Sequence, residues 1–267
     1  MIDWAAGSGW CQAGGHRLEW RVAGPAPTKA PTIVLLHEGL GSVSLWRNFP
    51  DRLAQETGCG VFAFSRAGYG QSDVKDLPWA VNYMTREATV VLPEVLKALS
   101  APDVILFGHS DGGTIAALHA ALAPAENIRA IILLAPHLFA EAIALQEIAR
   151  AQSVYETDLR QRLARHHRDP DVAFGGWAGA WLHPDFATWD QRHIARHITC
   201  PVLALQGRQD QYGSAEQVLL YADLCPGDAS VHLLDACRHA PHQDQPEIVL
   251  DHTKLFLKAL NAQYNAQ

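Results

Sequence analysis

Short apolar runs alternate with longer amphipathic stretches along most of this chain. Residues 16–22 alternate polar and apolar side chains, as a half-buried strand does. Gly14-Gly15 separates them from a first arm at 8–13, so the two predict a hairpin. The runs at 32–36, 60–64, 103–107, 129–134, 201–206 and 229–234 are mostly apolar and too short for helices, which predicts buried strands. Residues 83–99 place Met84, Ala88, Val91, Leu92, Val95 and Leu99 at a helical period, predicting an amphipathic helix kinked at Pro93. Residues 44–53, with Trp46, Phe49 and Leu53 around Pro50, read as an imperfect helix start. Ala116, Ala117, Ala120 and Ala121 let a helix at 114–122 lie close against a sheet, and further helices are expected at 214–223 and 246–260. Continuous apolar strands alternating with helices predict an α/β protein: a mostly parallel eight-stranded sheet with helices on both faces.

The alternation stops at residues 137–198. Polar helical segments at 141–150 and 154–165 are followed by an interruption at Gly175-Gly176-Trp177, then by Trp181 and Trp189, with no convincing buried strand. An inserted helical lid over the strand ends is expected here, dividing the chain into a core of 1–136 and 199–267 and a lid of 137–198. The lid tryptophans pack inside the lid, face a substrate, or do both.

Composition narrows the classes. Apolar residues are 48% of the 267, as in a globular protein. A net charge of −7 and a pI near 6.0 give no basic footprint for nucleic acid. No apolar stretch reaches the roughly 18 residues of a membrane span. The start, Met-Ile-Asp-Trp, has neither a basic region nor an apolar signal core, so a cytoplasmic chain is expected. Cys11, Cys59, Cys200, Cys225 and Cys237 are scattered and odd in number, as free thiols are. Among 14 histidines, His166-His167 and the His193/His197 pair invite a metal reading. The second pair lacks the glutamate of H-E-x-x-H, and surface or hydrogen-bonded roles are favoured for both.

The chemistry gathers at three strand ends. The run 103–107 leads into Gly108-His109-Ser110-Asp111-Gly112, a G-x-S-x-G pattern that sets a serine on a tight turn before a helix. A serine hydroxyl needs a base in contact, and the base needs a partner that fixes its tautomer. Asp210 and His239 follow the next two sheet strands, and in a parallel sheet the strands' carboxyl ends share one edge. Asp235 is an alternative acid in a poorer turn context. A fourth loop, His37-Glu38-Gly39-Leu40-Gly41-Ser42, follows 32–36. Its glycines suit close approach of N–H groups to an anion, or a simple turn.

Four segments together resemble the α/β-hydrolase superfamily over nearly the whole chain. They are 108–112 around Ser110, Gly207-Arg208-Gln209-Asp210, His239-Ala240-Pro241-His242-Gln243-Asp244-Gln245-Pro246, and Arg66-Ala67-Gly68-Tyr69-Gly70-Gln71-Ser72, similar to that family's R-G-x-G-x-S loop. The resemblance implies that Ser110 is the nucleophile, His239 the base and Asp210 its orienting acid. It implies an oxyanion hole from the N–H of Asp111 and that of Gly39, with Leu40 as second choice. Glu38 stands where the family often has glycine. A carboxylate aimed at an oxyanion opposes catalysis, so Glu38 turns away to a cation or N–H, or else binds a polar substrate group. Arg238 stands where the family often has glycine; it is solvated, or meets a substrate carboxylate or a nearby acid. Arg66, Trp177 and Trp181 complete the candidate substrate contacts. His109 reads as a packed histidine, His242 as a cap or packing residue, and Asp244 as support for the last helix. The asparate nucleophile of dehalogenases and epoxide hydrolases is absent. A lid-bearing serine hydrolase of a small ester or lactone is expected, acting with water and without metal or cofactor. Hydrolysis of C–C bonds in diketo acids, thioester or haloperoxidase-like chemistry, and a binding protein on the same fold are the alternatives. Exposed lid aromatics would support a homodimer.

Overall fold

The computed structural model describes residues 2–264. Residues 1 and 265–267, the outermost ends of the expected core segments, lie outside the described residues. The strands are β1 Ser8–Ala13, β2 His16–Ala23, β3 Thr32–Leu36, β4 Gly60–Phe64, β5 Val104–His109, β6 Ile128–Leu134, β7 Val202–Gly207 and β8 Ala229–Leu234. They form one sheet in the order β1-β2-β4-β3-β5-β6-β7-β8. The β1–β2 hairpin is antiparallel, as is β2 against β4, and every later pairing is parallel.

Strands β3, β4, β5 and β7 are buried at every position because helices cover both faces. Successive side chains go to opposite faces. Val34, Leu36, Phe62, Phe64 and Leu106 enter one core, while Ile33, Leu35, Val61, Ala63, Ile105 and Phe107 enter the other.

Helix α1, Phe49–Thr57, takes Pro50 in its first turn, where a missing N–H leaves no bond unmade. The expected 83–99 helix is α2, Tyr83–Arg86, a π-turn over Glu87–Val91, and α3, Leu92–Leu99. The π-turn is where the absent N–H of Pro93 is absorbed, in place of a sharp kink. Helix α4, Asp111–Leu122, begins directly after Ser110, three residues before the expected start at 114.

Between β6 and β7 lies the helical lid insertion: α5 Ala142–Ser153, a π-turn over Tyr155–Leu159, α6 Arg160–Leu163 and α7 Pro170–Trp181, followed by 3₁₀ turns at Pro184–Thr188 and Arg192–His197. Helix α7 runs through the expected interruption at Gly175-Gly176. Asp169 caps it by accepting from the Val172 N–H at 3.0 Å, and Pro170 opens its first turn. Gly176 is required by packing: a Cβ there would stand 2.2 Å from the Trp79 ring. His193 and His197 lie in a 3₁₀ turn, so their spacing does not place them one above the other. His167 ties the lid to the core, accepting from the Gly70 N–H at 3.0 Å and donating to the Leu40 carbonyl at 3.0 Å. The chain closes with α8 Glu216–Leu224, α9 Pro241–Asp244 and α10 Pro246–Tyr264; α1 and α10 pack on the sheet face opposite α4. Among the described residues no helix is long and apolar enough to cross a membrane.

Candidate active site

Ser110 joins β5 to α4 with φ 52° and ψ −118°, a backbone conformation that costs a non-glycine residue energy. Its N–H is held by the Leu134 carbonyl at 2.8 Å, and its carbonyl by the Thr114 N–H at 2.9 Å. The flanking glycines are steric requirements. A Cβ on Gly108 would stand 2.2 Å from the Gly112 carbonyl oxygen, and one on Gly112 would stand 2.0 Å from that of Leu36.

The turn aims Ser110 Oγ at His239 Nε2, 2.9 Å away. His239 Nδ1 lies 2.9 Å and 3.0 Å from the two carboxylate oxygens of Asp210. A nitrogen facing a carboxylate carries the proton, so Nε2 is left to accept the serine hydroxyl's hydrogen. Burial alone would raise the Asp210 pKa, but His239 and the Tyr212 N–H, 2.8 Å from Oδ1, outweigh it and hold Asp210 below its usual range. The alternative acid, Asp235, points to solvent and pairs with Arg208 at 2.8 Å. Asp244 does not open the last helix; it sits at the end of α9 and accepts from the Arg238 N–H at 2.8 Å.

The loop after β3 is clamped from below. Arg66, 2% exposed, donates to the His37 carbonyl at 2.5 Å and to the Glu38 carbonyl at 3.0 Å. His37 Nδ1 donates to the same Glu38 oxygen at 2.7 Å and its Nε2 accepts from the Arg66 N–H at 3.1 Å, a pattern only the neutral ring can make. Burial, then the Arg66 charge, push the His37 pKa well down, in agreement. The Gly41 N–H adds a third donor to the Glu38 oxygen at 3.1 Å. Because the peptide is planar and trans, fixing the Glu38 carbonyl turns the Gly39 N–H to the opposite side of the loop, where Gly39 lines the cavity above Ser110. Asp111 supplies a second N–H in the unpaired first turn of α4.

Glu38 meets His109, whose Nδ1 is 3.4 Å from Oε2 and whose Nε2 donates to the His239 carbonyl at 2.7 Å. This imidazole donates from both nitrogens, so it carries the charge. Burial opposes that charge and Glu38 outweighs it, raising the His109 pKa; the reciprocal attraction overcomes burial at Glu38 and holds its carboxyl well below the usual range. His109 is thus packed, as expected, and also ion-paired. His242 packs between His109 and Trp46, with ring centroids at 4.8 Å from each.

A cavity of about 140 Å³ opens over Ser110. Glu38, Gly39, Leu40, Asp111, Trp177 and Trp181 line it, along with His239. Two further polar lining residues escaped the sequence reading, beside the apolar Ala144 and Ile148. His137 stands with Nε2 3.5 Å from Ser110 Oγ, and burial, with the His239 charge behind it, lowers its pKa to about 3. Tyr212 packs against His239 with the rings tilted by 49° and 4.6 Å between centroids. Both follow sheet strands at the carboxyl edge, and that position was the available signal. The Asp111 carboxyl lies buried, accepting from the Tyr83 hydroxyl, which in turn accepts from the Trp181 indole N–H at 2.9 Å.

The sequence profile of the family described as alpha/beta hydrolase fold matches residues 31–168. The chain belongs to that family. Ser110, His239 and Asp210 stand in a hydrogen-bonded line. Protein phosphatase methylesterase 1 of Candida albicans is 29% identical over 110 residues, 40% of this chain and 30% of the methylesterase. A proline iminopeptidase of Lactiplantibacillus plantarum is 26% identical over 192 residues, 71% of this chain and 62% of the iminopeptidase. The chain therefore spans less than two thirds of either relative. The enol-lactonase from Burkholderia xenovorans superposes with a TM-score of 0.72 at 20% identity, covering 94% of this chain and all of the lactonase. That likeness shows the fold.

Two expected substrate contacts are corrected. Arg66 does not line the cavity, because its guanidinium is consumed beneath the loop by the two carbonyls it holds. Arg238 is exposed and also lies off the cavity, its backbone turned to Asp244.

Proposed function

We propose that this hydrolase cleaves a small carboxylic ester or lactone through an acyl-enzyme on Ser110. The observation that carries the reading is the 2.9 Å contact from Ser110 Oγ to His239 Nε2, at the base of a cavity walled by Trp177 and Trp181. Ser110 attacks the carbonyl carbon while His239 takes the hydroxyl proton, and Asp210 steadies the imidazolium. The Gly39 and Asp111 N–H groups, with Leu40 adjoining, receive the oxyanion; such donors contribute about 3 kcal/mol each at the transition state. His239 then passes its proton to the leaving alkoxide, and water, deprotonated by His239, releases the acid. The lid of 137–198 screens this chemistry through Trp177 and Trp181. The names of the methylesterase and the enol-lactonase, each an enzyme of ester bonds, lend support. Hydrolysis of an anionic diketo acid is disfavoured, since among the described residues no lysine or arginine lines the cavity.

The test is labelling with a fluorophosphonate, followed by a screen of p-nitrophenyl acyl esters, lactones and a diketo acid. Ser110 is expected to label, Ser110→Ala to remain unlabelled, and short esters or lactones to turn over. Turnover of the diketo acid alone would reject the ester reading.

A further inference from the structure

Glu38 poses a problem for the reaction just described. Its neighbour Gly39 offers the N–H for an oxyanion, so a carboxylate stands beside a site where negative charge develops. The side chain is only partly buried, 23% exposed, and it lines the cavity. Oε2 faces His109 at the long distance of 3.4 Å, and among the described residues Oε1 has no hydrogen-bond partner. A carboxylate accepts several hydrogen bonds, so capacity for a donor from the cavity remains.

The rest of the wall has the character that suits a cation. Trp177, Trp181 and Tyr212 present aromatic surface. The lining includes no lysine or arginine, and His137 stays neutral.

We propose that the substrate carries an ammonium group close to its scissile carbonyl, with Glu38 as counter-ion and Trp177, Trp181 and Tyr212 as the surrounding wall. The inference rests on the ester reading and narrows it to amino-acyl esters. It also explains why a carboxylate is tolerated beside the oxyanion loop. The bound ammonium adds to the offset that the charged His109 already gives Glu38, so ammonium-bearing substrates are favoured over neutral ones.

L-Alanine methyl ester and methyl L-lactate differ in placing an ammonium or a hydroxyl beside the same carbonyl. At about pH 6.5 the amine is charged, below an α-amino pKa of roughly 7.7. The wild type is expected to favour the alanine ester in kcat/KM by about tenfold or more, as loss of a hydrogen bond to a charged group implies. Glu38→Gln should bring the ratio near one, and Glu38→Asp, which keeps the charge, should retain most of it. A wild-type ratio near one, or a ratio unchanged in Glu38→Gln, overturns the proposal. Tryptophan fluorescence titrated with n-propylammonium and with n-propanol reads the subsite without turnover. Ammonium-selective quenching that Glu38→Gln abolishes supports it, and equal response to both probes rejects it. Failure of Ser110 to label with fluorophosphonate would overturn the ester reading separately, leaving the titration to decide the subsite.

Discussion

Trp177 of the lid lies directly across Gly39: a Cβ on that glycine would stand 2.1 Å from the indole nitrogen. The lid helix and the loop after β3 are therefore set against each other at Gly39, whose N–H is the proposed oxyanion donor. Gly39→Ala must displace the loop or the indole. Displacing the loop moves a backbone donor, and losing one such donor costs about 10²-fold to 10³-fold in kcat. Gly39→Ala is expected to fall in that range, while Gly39→Ala with Trp177→Ala recovers part of the loss because the obstacle is gone. Steady-state kinetics of the two single variants and the double variant measure the coupling; an alanine variant of full activity would remove Gly39 from the site.

Arg66 makes a different prediction. It contacts the catalytic loop only through the carbonyls of His37 and Glu38, so it positions the Gly39 N–H and touches no substrate. Arg66→Met leaves those oxygens short of donors in a buried place and is expected to destabilise the fold by about 3 kcal/mol. Arg66→Lys keeps the charge but has one nitrogen where two are needed. It should fold, lower kcat, and leave KM nearly unchanged, since the N–H matters most once the oxyanion forms. Denaturant melts with kcat and KM for both variants check this. A rise in KM alone would indicate that Arg66 reaches substrate after all.

How these parts appear in the sequence depends on whether their causes are local. The elbow was legible because Gly108 and Gly112 answer to a turn a few residues long. The sheet was legible because buried parallel strands are continuously apolar. Helix α7 was not, since Gly175-Gly176 disfavours helix locally and only the Trp79 ring packed on Gly176 explains its presence. The start of α4 was missed for the same reason: Asp111-Gly112-Gly113 reads as turn until the Leu36 carbonyl is seen against Gly112. Arg66 looked like a substrate contact because its acceptors are backbone oxygens, which carry no sequence signature. His137 follows Pro136 past the end of β6, and nothing local distinguishes it from a loop histidine.

The Glu38–His109 pair gives stability a pH dependence with a definite sign. The His109 pKa is raised above its ordinary 6.5, so its share of the stabilisation is complete below that value and is lost as pH climbs through the raised one. The Glu38 pKa is lowered from 4.5, so its share is complete above that value and is lost as pH falls. The pair therefore stabilises most between 4.5 and 6.5. His109→Gln removes the charge but keeps a donor. The melting temperature of the wild type should exceed that of the variant by the widest margin inside this window, the margin narrowing above it. Each unit of pKa elevation corresponds to about 1.4 kcal/mol. Thermal melts of both proteins from acid to mildly alkaline pH test it; a constant margin would mean that His109 is neutral in the fold.

Trp181, Tyr83 and Asp111 form a chain of donors from the lid to the residue after the nucleophile. Tyr83→Phe breaks both links at once, leaving the Trp181 N–H unpaired and depriving Asp111 of the hydrogen bond to its Oδ2. Its other oxygen, Oδ1, is already without a partner among the described residues. Leaving buried polar groups unsatisfied costs about 1–3 kcal/mol, and more where one of them is charged, so Tyr83→Phe is expected to lose at least that much stability. Trp181→Phe removes the first donor and keeps the ring against Phe186 and His137, so it should cost less. The double variant should be more stable than the sum of the single losses implies, because with the indole nitrogen gone Tyr83→Phe no longer orphans it. Urea unfolding of the four proteins closes the cycle. Strict additivity would show that the lid and the elbow are held independently.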